Sequence, residues 1–308
     1  MKKLPAILIA GALASALTAC NGAGVDYTSK APSAPPSASA PAPSPSGSPS
    51  PSASAPVSAA PVDLPQLSPM KDGEDIAIIT TSMGVVKMRF FPQYAPKAVE
   101  NFITLAKQGY YNGLIFHRVI KDFVIQTGDP KGDGSGGQSV FKDSSGNPTG
   151  FMTETSPNLH HIFGAVSMAR GQDPSSNGSQ FFIVSNNKLD DNTATQVQQV
   201  ADTMLDQTMK DQSGNEAKDA GGNSVTYGSQ YPKAILDEYL KVGGDISLDF
   251  NYDVFGQVYD GLDVVTAISN VPTLADASSP PDSTDPTYNK PQKDVTIQKI
   301  EISQYKAS

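Results

Sequence analysis

Three histidines, one cysteine and no tryptophan limit the chemistry open to this 308-residue chain. His160 and His161 are adjacent, so on a strand they point to opposite faces; with only His117 besides and no thiol to help, a metal cage is not expected. No G-x-S-x-G elbow presents a serine as nucleophile. The run Gly132-Asp133-Gly134-Ser135-Gly136-Gly137 has the glycine content of a phosphate cradle but lacks a following helix and a Lys-Ser/Thr pair, and reads as a flexible loop. The guanidinium of an arginine such as Arg118 is charged at every relevant pH and projects several donors in one plane, so it can stabilise a lone pair or an oxygen without itself gaining or losing a proton. Such chemistry needs no nucleophile, metal or cofactor.

The elements around Arg118 read mainly as strands. Ile76 to Thr81 and Val85 to Phe91 are rich in β-branched and aromatic residues and flank Ser82-Met83-Gly84, a hairpin signal. Ala95-Pro96 opens a helix with Val99, Phe102, Ile103 and Ala106 on one face and Gly109 at its end. Leu114 to Gln126 is strand material interrupted at Lys121-Asp122, and Ile162 to Met168, Phe181 to Ser185 and Val254 to Val258 are further strands. A second helix fits Leu262 to Asn270; Val295, Ile297, Ile300 and Ile302 make a last strand whose alternation slips once, as at a bulge. Many strands with two helices predict an all-β, mainly antiparallel fold closed into a barrel, which removes exposed edges. Residues 187 to 246 differ in texture and read as a partly helical insertion whose apolar stripes, at Val197, Val200, Ala201, Met204 and Leu205 and at Ile235, Leu236, Tyr239 and Leu240, pack on the barrel.

The first 70 residues are of another kind. Lys2 and Lys3 precede an apolar run from Leu4 to Leu17, too short to span a bilayer but right for an export signal over residues 1–19. It ends in Leu17-Thr18-Ala19-Cys20, which resembles the lipobox of bacterial lipoproteins and implies lipid on Cys20. Eleven of the 25 prolines fall between Ala31 and Pro65, among Ser and Ala, so residues 20–70 are expected to be a disordered linker. At about 3.1 Å per residue, some 35 such residues reach on the order of 100 Å. Residues 71 to 308 carry 19 basic against 29 acidic side chains, which disfavours nucleic acid as a partner.

Four ordered blocks carry a family resemblance: FHRVIKDFVIQTGDP (116–130), GSGG (134–137), SMARGQDPSSNGSQFFIV (167–184) and VFGQV (254–258). Together they resemble the cyclophilins, peptidyl-prolyl cis/trans isomerases. The resemblance implies a closed eight-stranded barrel capped by two helices, a single domain over residues 71–308, and an active groove on its outer wall. It places Arg118 as the catalytic donor and Phe123, Val124, Phe182 and Leu248 as an apolar socket for the proline ring. Gln126 orients Arg118 or binds substrate backbone; Gly134, Ala169, Arg170, Gln180 and Tyr252 line the flanking groove. Ser247 stands where many members carry tryptophan and Tyr252 where they carry histidine.

The implied chemistry fits the residues. X-Pro isomers are separated by about 18 to 20 kcal/mol because twisting destroys amide resonance. At the twist the prolyl nitrogen regains a lone pair, so a fixed donor aimed at it binds the transition state more strongly than either ground state. The expected partners are proline-containing exported polypeptides and, through Cys20, a bacterial cell membrane, with the protein extracytoplasmic and monomeric. A tethered chaperone that holds such chains without turning them over is the alternative; acceleration of isomerisation on an X-Pro peptide decides against it. Radioactive palmitate is expected to label the protein in cells and not its Cys20→Ala variant; equal labelling of the two would remove the anchor.

Overall fold

The computed structural model describes residues 63–211, 214–219, 221–277 and 287–307. Residues 1–62, which hold the expected export signal, Cys20 and most of the expected linker, lie outside the described residues. Eight strands form one antiparallel sheet: β1 (Asp75–Thr81), β2 (Gly84–Phe90), β3 (Arg118–Ile120), β4 (Val124–Thr127), β5 (Ala165–Met168), β6 (Phe181–Val184), β7 (Val254–Asp260) and β8 (Ile297–Gln304). Their spatial order is β3-β4-β6-β5-β7-β2-β1-β8. The slip expected in the last strand is a bulge: Thr80 pairs with Lys299 and Thr81 with Ile297, so Gln298 is the extra residue that returns Ile297 and Ile300 to the core face. Among the described residues no helix is long and apolar enough to cross a membrane.

Helix α1 (Pro96–Lys107) covers one end of the sheet. Ala95 at its N-cap has no side chain to offer its free N–H groups, and the carboxylate of distant Glu154 accepts from Lys97 and Ala98 instead. Phe102, fully buried, packs against Phe90, Tyr111, Phe181 and Phe255 with centroids 5.2 to 5.7 Å apart. Truncating such a ring costs about 3–5 kcal/mol. The second capping helix is Leu262–Ser269, numbered below after those of the insertion.

The sheet is not a closed barrel. β3 and β8 are its two edges, spanned among the described residues by the bridge Ile115–Thr296 and by backbone bonds from Gly113 to Ile297, from Phe116 to Val295 and from Ile297 to Leu114. β3 is three residues long, and Val119 N–H donates to Asn289 in a loop. Loop contacts thus satisfy edge groups that a closing ladder would have used, and the result is a curled half-barrel.

The insertion holds α2 (Asp191–Thr203), the single turn α3 (Tyr227–Gln230) and α4 (Lys233–Val242); α5 is Leu262–Ser269 and α6 is Leu274–Ala277. The apolar stripes of α2 and α4 pack chiefly on each other, building a second small core of Val197, Val200, Ala201, Ile235, Leu236 and Tyr239 that meets the sheet through Ile162. One turn recurs three times, as Lys142-Asp143…Gly146-Asn147, Lys210-Asp211…Gly214-Asn215 and Lys218-Asp219…Gly222-Asn223. In each, the Asp carboxylate accepts the Asn N–H and the glycine takes a φ of 81 to 83°.

Residues 63–70, assigned to the linker by composition, are packed on the domain. Gln66 donates to His160 O and accepts from His160 N, and Arg89 donates to the carbonyls of Pro65 and Ser68. Composition missed this because hydrogen bonds of the backbone and of Gln66 make much of the contact, with Leu64 packed against the core of the insertion.

Candidate active site

Antiparallel register builds the site in one transverse row. Arg118 on β3 pairs with Gln126 on β4, Gln126 with Phe182 on β6, and Phe182 with Ser167 on β5. Residues directly opposite one another point to the same face, so the four share the outer surface. Their chain neighbours Val119, Ile125, Phe181, Ile183, Val166 and Met168 face the inner core. On the outer side Val124, Phe182, Leu248 and Val254 form a further apolar cluster, packed by Phe123, Ala169 and Tyr252. These central strands are therefore buried on both faces. The turn between β3 and β4 is tight enough to hold Asp122 at φ 55°, and Phe123 follows it into the groove.

A cavity of about 360 Å³ opens here, lined by ten of the residues expected from sequence: Arg118, Phe123, Val124, Gln126, Gly134, Ala169, Arg170, Phe182, Leu248 and Tyr252. Gln180 lines the adjoining cavity, on the glycine-loop side. Arg118 Nη1 donates to Gln126 Oε1 at 3.1 Å, Gln126 Nε2 to Gln180 Oε1 at 2.8 Å, and Gln180 Nε2 to the carbonyls of Gly134 and Gly136. Each amide is oriented by the next, which leaves Arg118 little freedom. Among the described residues its Nε and Nη2 make no hydrogen bond to protein. Burial lowers its pKa somewhat, but a guanidinium remains charged. Phe123 lies 6.0 Å from its Cζ, and Arg170 stacks 5.1 Å over Tyr252.

The glycine loop, expected to be flexible, is pinned. Asp129 accepts from the N–H groups of Lys131, Asp133 and Gly134. Gly128, at φ +89°, brings β4 so close to β6 that a Cβ there would sit 2.4 Å from Ser179 O.

Two features escaped the sequence reading. His117 lines the cavity while nearly buried, and burial lowers its pKa, favouring the neutral ring. Behind the groove, Ser167 Oγ lies 2.9 Å from His161 Nε2, and His161 Nδ1 lies 2.8 Å from Asp249 Oδ1. This connectivity belongs to a serine hydrolase, yet all three side chains are buried and the Phe182 ring is stacked over His161, so no substrate reaches the serine. Their sequence signal was the adjacent His160-His161 pair, considered only as metal ligands. Among the described residues no group of three or more His, Cys, Asp or Glu could hold a metal ion.

A family model described as "Cyclophilin type peptidyl-prolyl cis-trans isomerase/CLD" matches residues 76–302. A protein of Staphylococcus saprophyticus described as a peptidyl-prolyl cis-trans isomerase is 38% identical over 239 residues, 77% of this chain and 97% of its own. The chain belongs to the cyclophilin family of peptidyl-prolyl isomerases. A similarly described protein of Staphylococcus aureus is 36% identical over 241 residues, covering 78% of this chain and 98% of that one. The crystal structure of a Cryptosporidium parvum cyclophilin in the presence of the dipeptide Ala-Pro has 26% identity and a TM-score of 0.48, covering 74% of this chain and 98% of that one.

In this cyclophilin the residue at the expected tryptophan position does not reach the groove. Ser247 lies in the 3-10 turn Ile246–Leu248, bonds to Asp245, and lines a separate cavity beside α2. On the other flank Asp253 is fully buried, and burial raises its pKa to about 7. Its Oδ2 accepts from Asn177 Nδ2 at 3.3 Å, while Oδ1 of each residue has no donor among the described residues. A proton on Asp253 turns one of these acceptors into a donor. Because the folded state holds that proton more tightly than the unfolded state, whose Asp titrates near 3.8, stability falls as pH rises between those values. The loss is at most about 1.4 kcal/mol per pH unit. Asp253→Asn is expected to flatten this slope, raising the melting temperature more at pH 8 than at pH 5. Parallel melting curves for the two proteins across that range would contradict it.

Proposed function

We propose that Arg118 catalyses isomerisation of X-Pro bonds in exported polypeptides, and that the enzyme works at the outer face of a bacterial membrane, tethered by lipid on Cys20. The observation that carries the reaction is the position of Arg118 across an apolar notch from Phe182, one guanidinium nitrogen bound to Gln126 and the others without a partner among the described residues. A proline ring seated against Phe123, Val124, Phe182 and Leu248 brings its nitrogen beside those free donors. As the amide twists, the nitrogen becomes pyramidal and its lone pair accepts from the guanidinium, an interaction absent in the planar ground states. Gln126 keeps the fork aimed, or takes the substrate backbone when Arg118 turns to the nitrogen. No bond forms or breaks and no proton moves. The tether is supported by the Leu17-Thr18-Ala19-Cys20 ending of the apolar run and by the Pro/Ser/Ala segment after it. Clients are then exported chains whose folding waits on proline isomerisation, roughly 10–100 s uncatalysed.

Arg118→Ala is expected to lower kcat/KM on an X-Pro peptide in a protease-coupled assay by about 100-fold or more, with circular dichroism and melting nearly unchanged. Arg118→Lys, with a point charge in place of the planar fork, is expected to recover little of it. Unchanged turnover by Arg118→Ala would remove Arg118 from the mechanism. With Ser247 unable to supply an indole N–H, cyclosporin is expected to inhibit only weakly; a tight inhibition constant would show that this contact is dispensable.

A further inference from the structure

We propose that Tyr239, carried on α4 of the insertion, is a positioning residue for the proline socket, acting through the buried Asp249 and His161. The inference rests on the groove being the active site. Asp249 follows Leu248 directly and precedes Tyr252 by three residues, so its carboxylate anchors the turn that carries two groove walls. It is fully buried and accepts four hydrogen bonds: His161 N at 2.7 Å and His161 Nδ1 at 2.8 Å on Oδ1, His160 Nδ1 at 3.0 Å and Tyr239 Oη at 2.8 Å on Oδ2. Burial pushes this carboxyl toward the neutral form, yet the two histidines hold it well below the usual carboxylate range, so it is the acceptor throughout. Four donors fill the four lone-pair sites of a carboxylate, and of these four Tyr239 is the one from the insertion.

The other end of the network lies under the substrate. With Nδ1 on Asp249 and Nε2 beside Ser167 Oγ, the His161 ring cannot rotate. It stacks on Phe182 with centroids 6.0 Å apart and planes 19° apart, and meets Tyr252 edge-on at 6.5 Å; Phe182 and Tyr252 in turn meet at 5.5 Å. The floor and one wall of the socket thus rest on a ring whose orientation Asp249 sets. Tyr239 is itself fixed. A Cβ at Gly244 would sit 2.6 Å from its ring and 2.5 Å from His161 O, so a positive-φ glycine is what lets α4 come close enough to deliver the hydroxyl. The insertion's core around Ile235 and Leu236 holds the helix, and the hydroxyl reaches out of that core to the carboxylate.

The socket grips the proline ring in ground and transition states alike, so loosening it weakens binding more than it slows the twist. In the full chain, Tyr239→Phe keeps the ring and deletes the donor. The expected result is a KM for an X-Pro peptide raised roughly five- to tenfold with kcat nearly unchanged, together with a shifted His161 Nδ1–H resonance. A wild-type KM with an unmoved resonance overturns the proposal, even if melting is lowered, since that outcome describes a purely structural hydroxyl. Should Tyr239→Phe not fold, His161→Asn decides: it can still donate to Asp249 but offers no ring to Phe182. A raised KM supports the proposal, and a wild-type KM overturns it. Arg118→Ala run alongside separates the two readings, because full activity in that variant would mean the groove is not the active site, whatever Tyr239 does.

Discussion

A donor proposed to distinguish a twisted amide from a planar one needs its aim set before anything binds, and Gln126 is the group that sets it for Arg118. Side-chain freedom in Arg is large, and the one hydrogen bond this guanidinium makes among the described residues aims it because the acceptor is itself held in a line: Gln126 is bound to Gln180, and Gln180 to the carbonyls of Gly134 and Gly136. That line ends on a loop which Asp129 holds by three backbone N–H groups. Preorganisation of this kind costs nothing at the moment of reaction, because the protein dipoles are already in place.

The row in which these residues lie exists only because three neighbouring strands are in register. A one-residue slip of β4 against β6 would send Gln126 to the inner face and Ile125 to the groove. Register is secured from both sides. Phe181 and Ile183 are committed to the inner core, where Phe102 packs, while Phe182 and Val184 are committed to the outer cluster. The outer cluster exists because Leu248 and Tyr252 fold back over the sheet, and the segment carrying them is moored by Asp249 to His160, His161 and Tyr239. The insertion, which interrupts the chain between β6 and this segment, is thereby joined to the groove by a buried carboxylate as well as by apolar packing at Ile162.

The groove residues were legible for a simple reason. Arg118, Phe123 and Gln126 lie within nine positions, and Gln180 and Phe182 within three, so short blocks carry most of the constellation. Strand limits were less legible. The run expected over Ile162 to Met168 is a strand only from Ala165, because Ile162 turns into the insertion's core and pairs once with Gly244. His161 and Asp249 stand 88 residues apart, and nothing local marks either as part of one network. The docking of residues 63–70 was hidden by their resemblance in composition to the linker before them.

By itself the sequence determined the strand-rich fold, the two capping helices and the insertion, since periodicity is a property of neighbouring residues, and its motif blocks pointed to the groove residues through their resemblance to the cyclophilins. It also determined that no thiol beyond Cys20 supports the domain. Tertiary structure alone decided whether the sheet closes, what the paired histidines do and how the insertion meets the groove. Each of these depends on where backbone donors and a buried carboxylate find partners many residues away, and a chain read in order carries no record of which distant group will meet which.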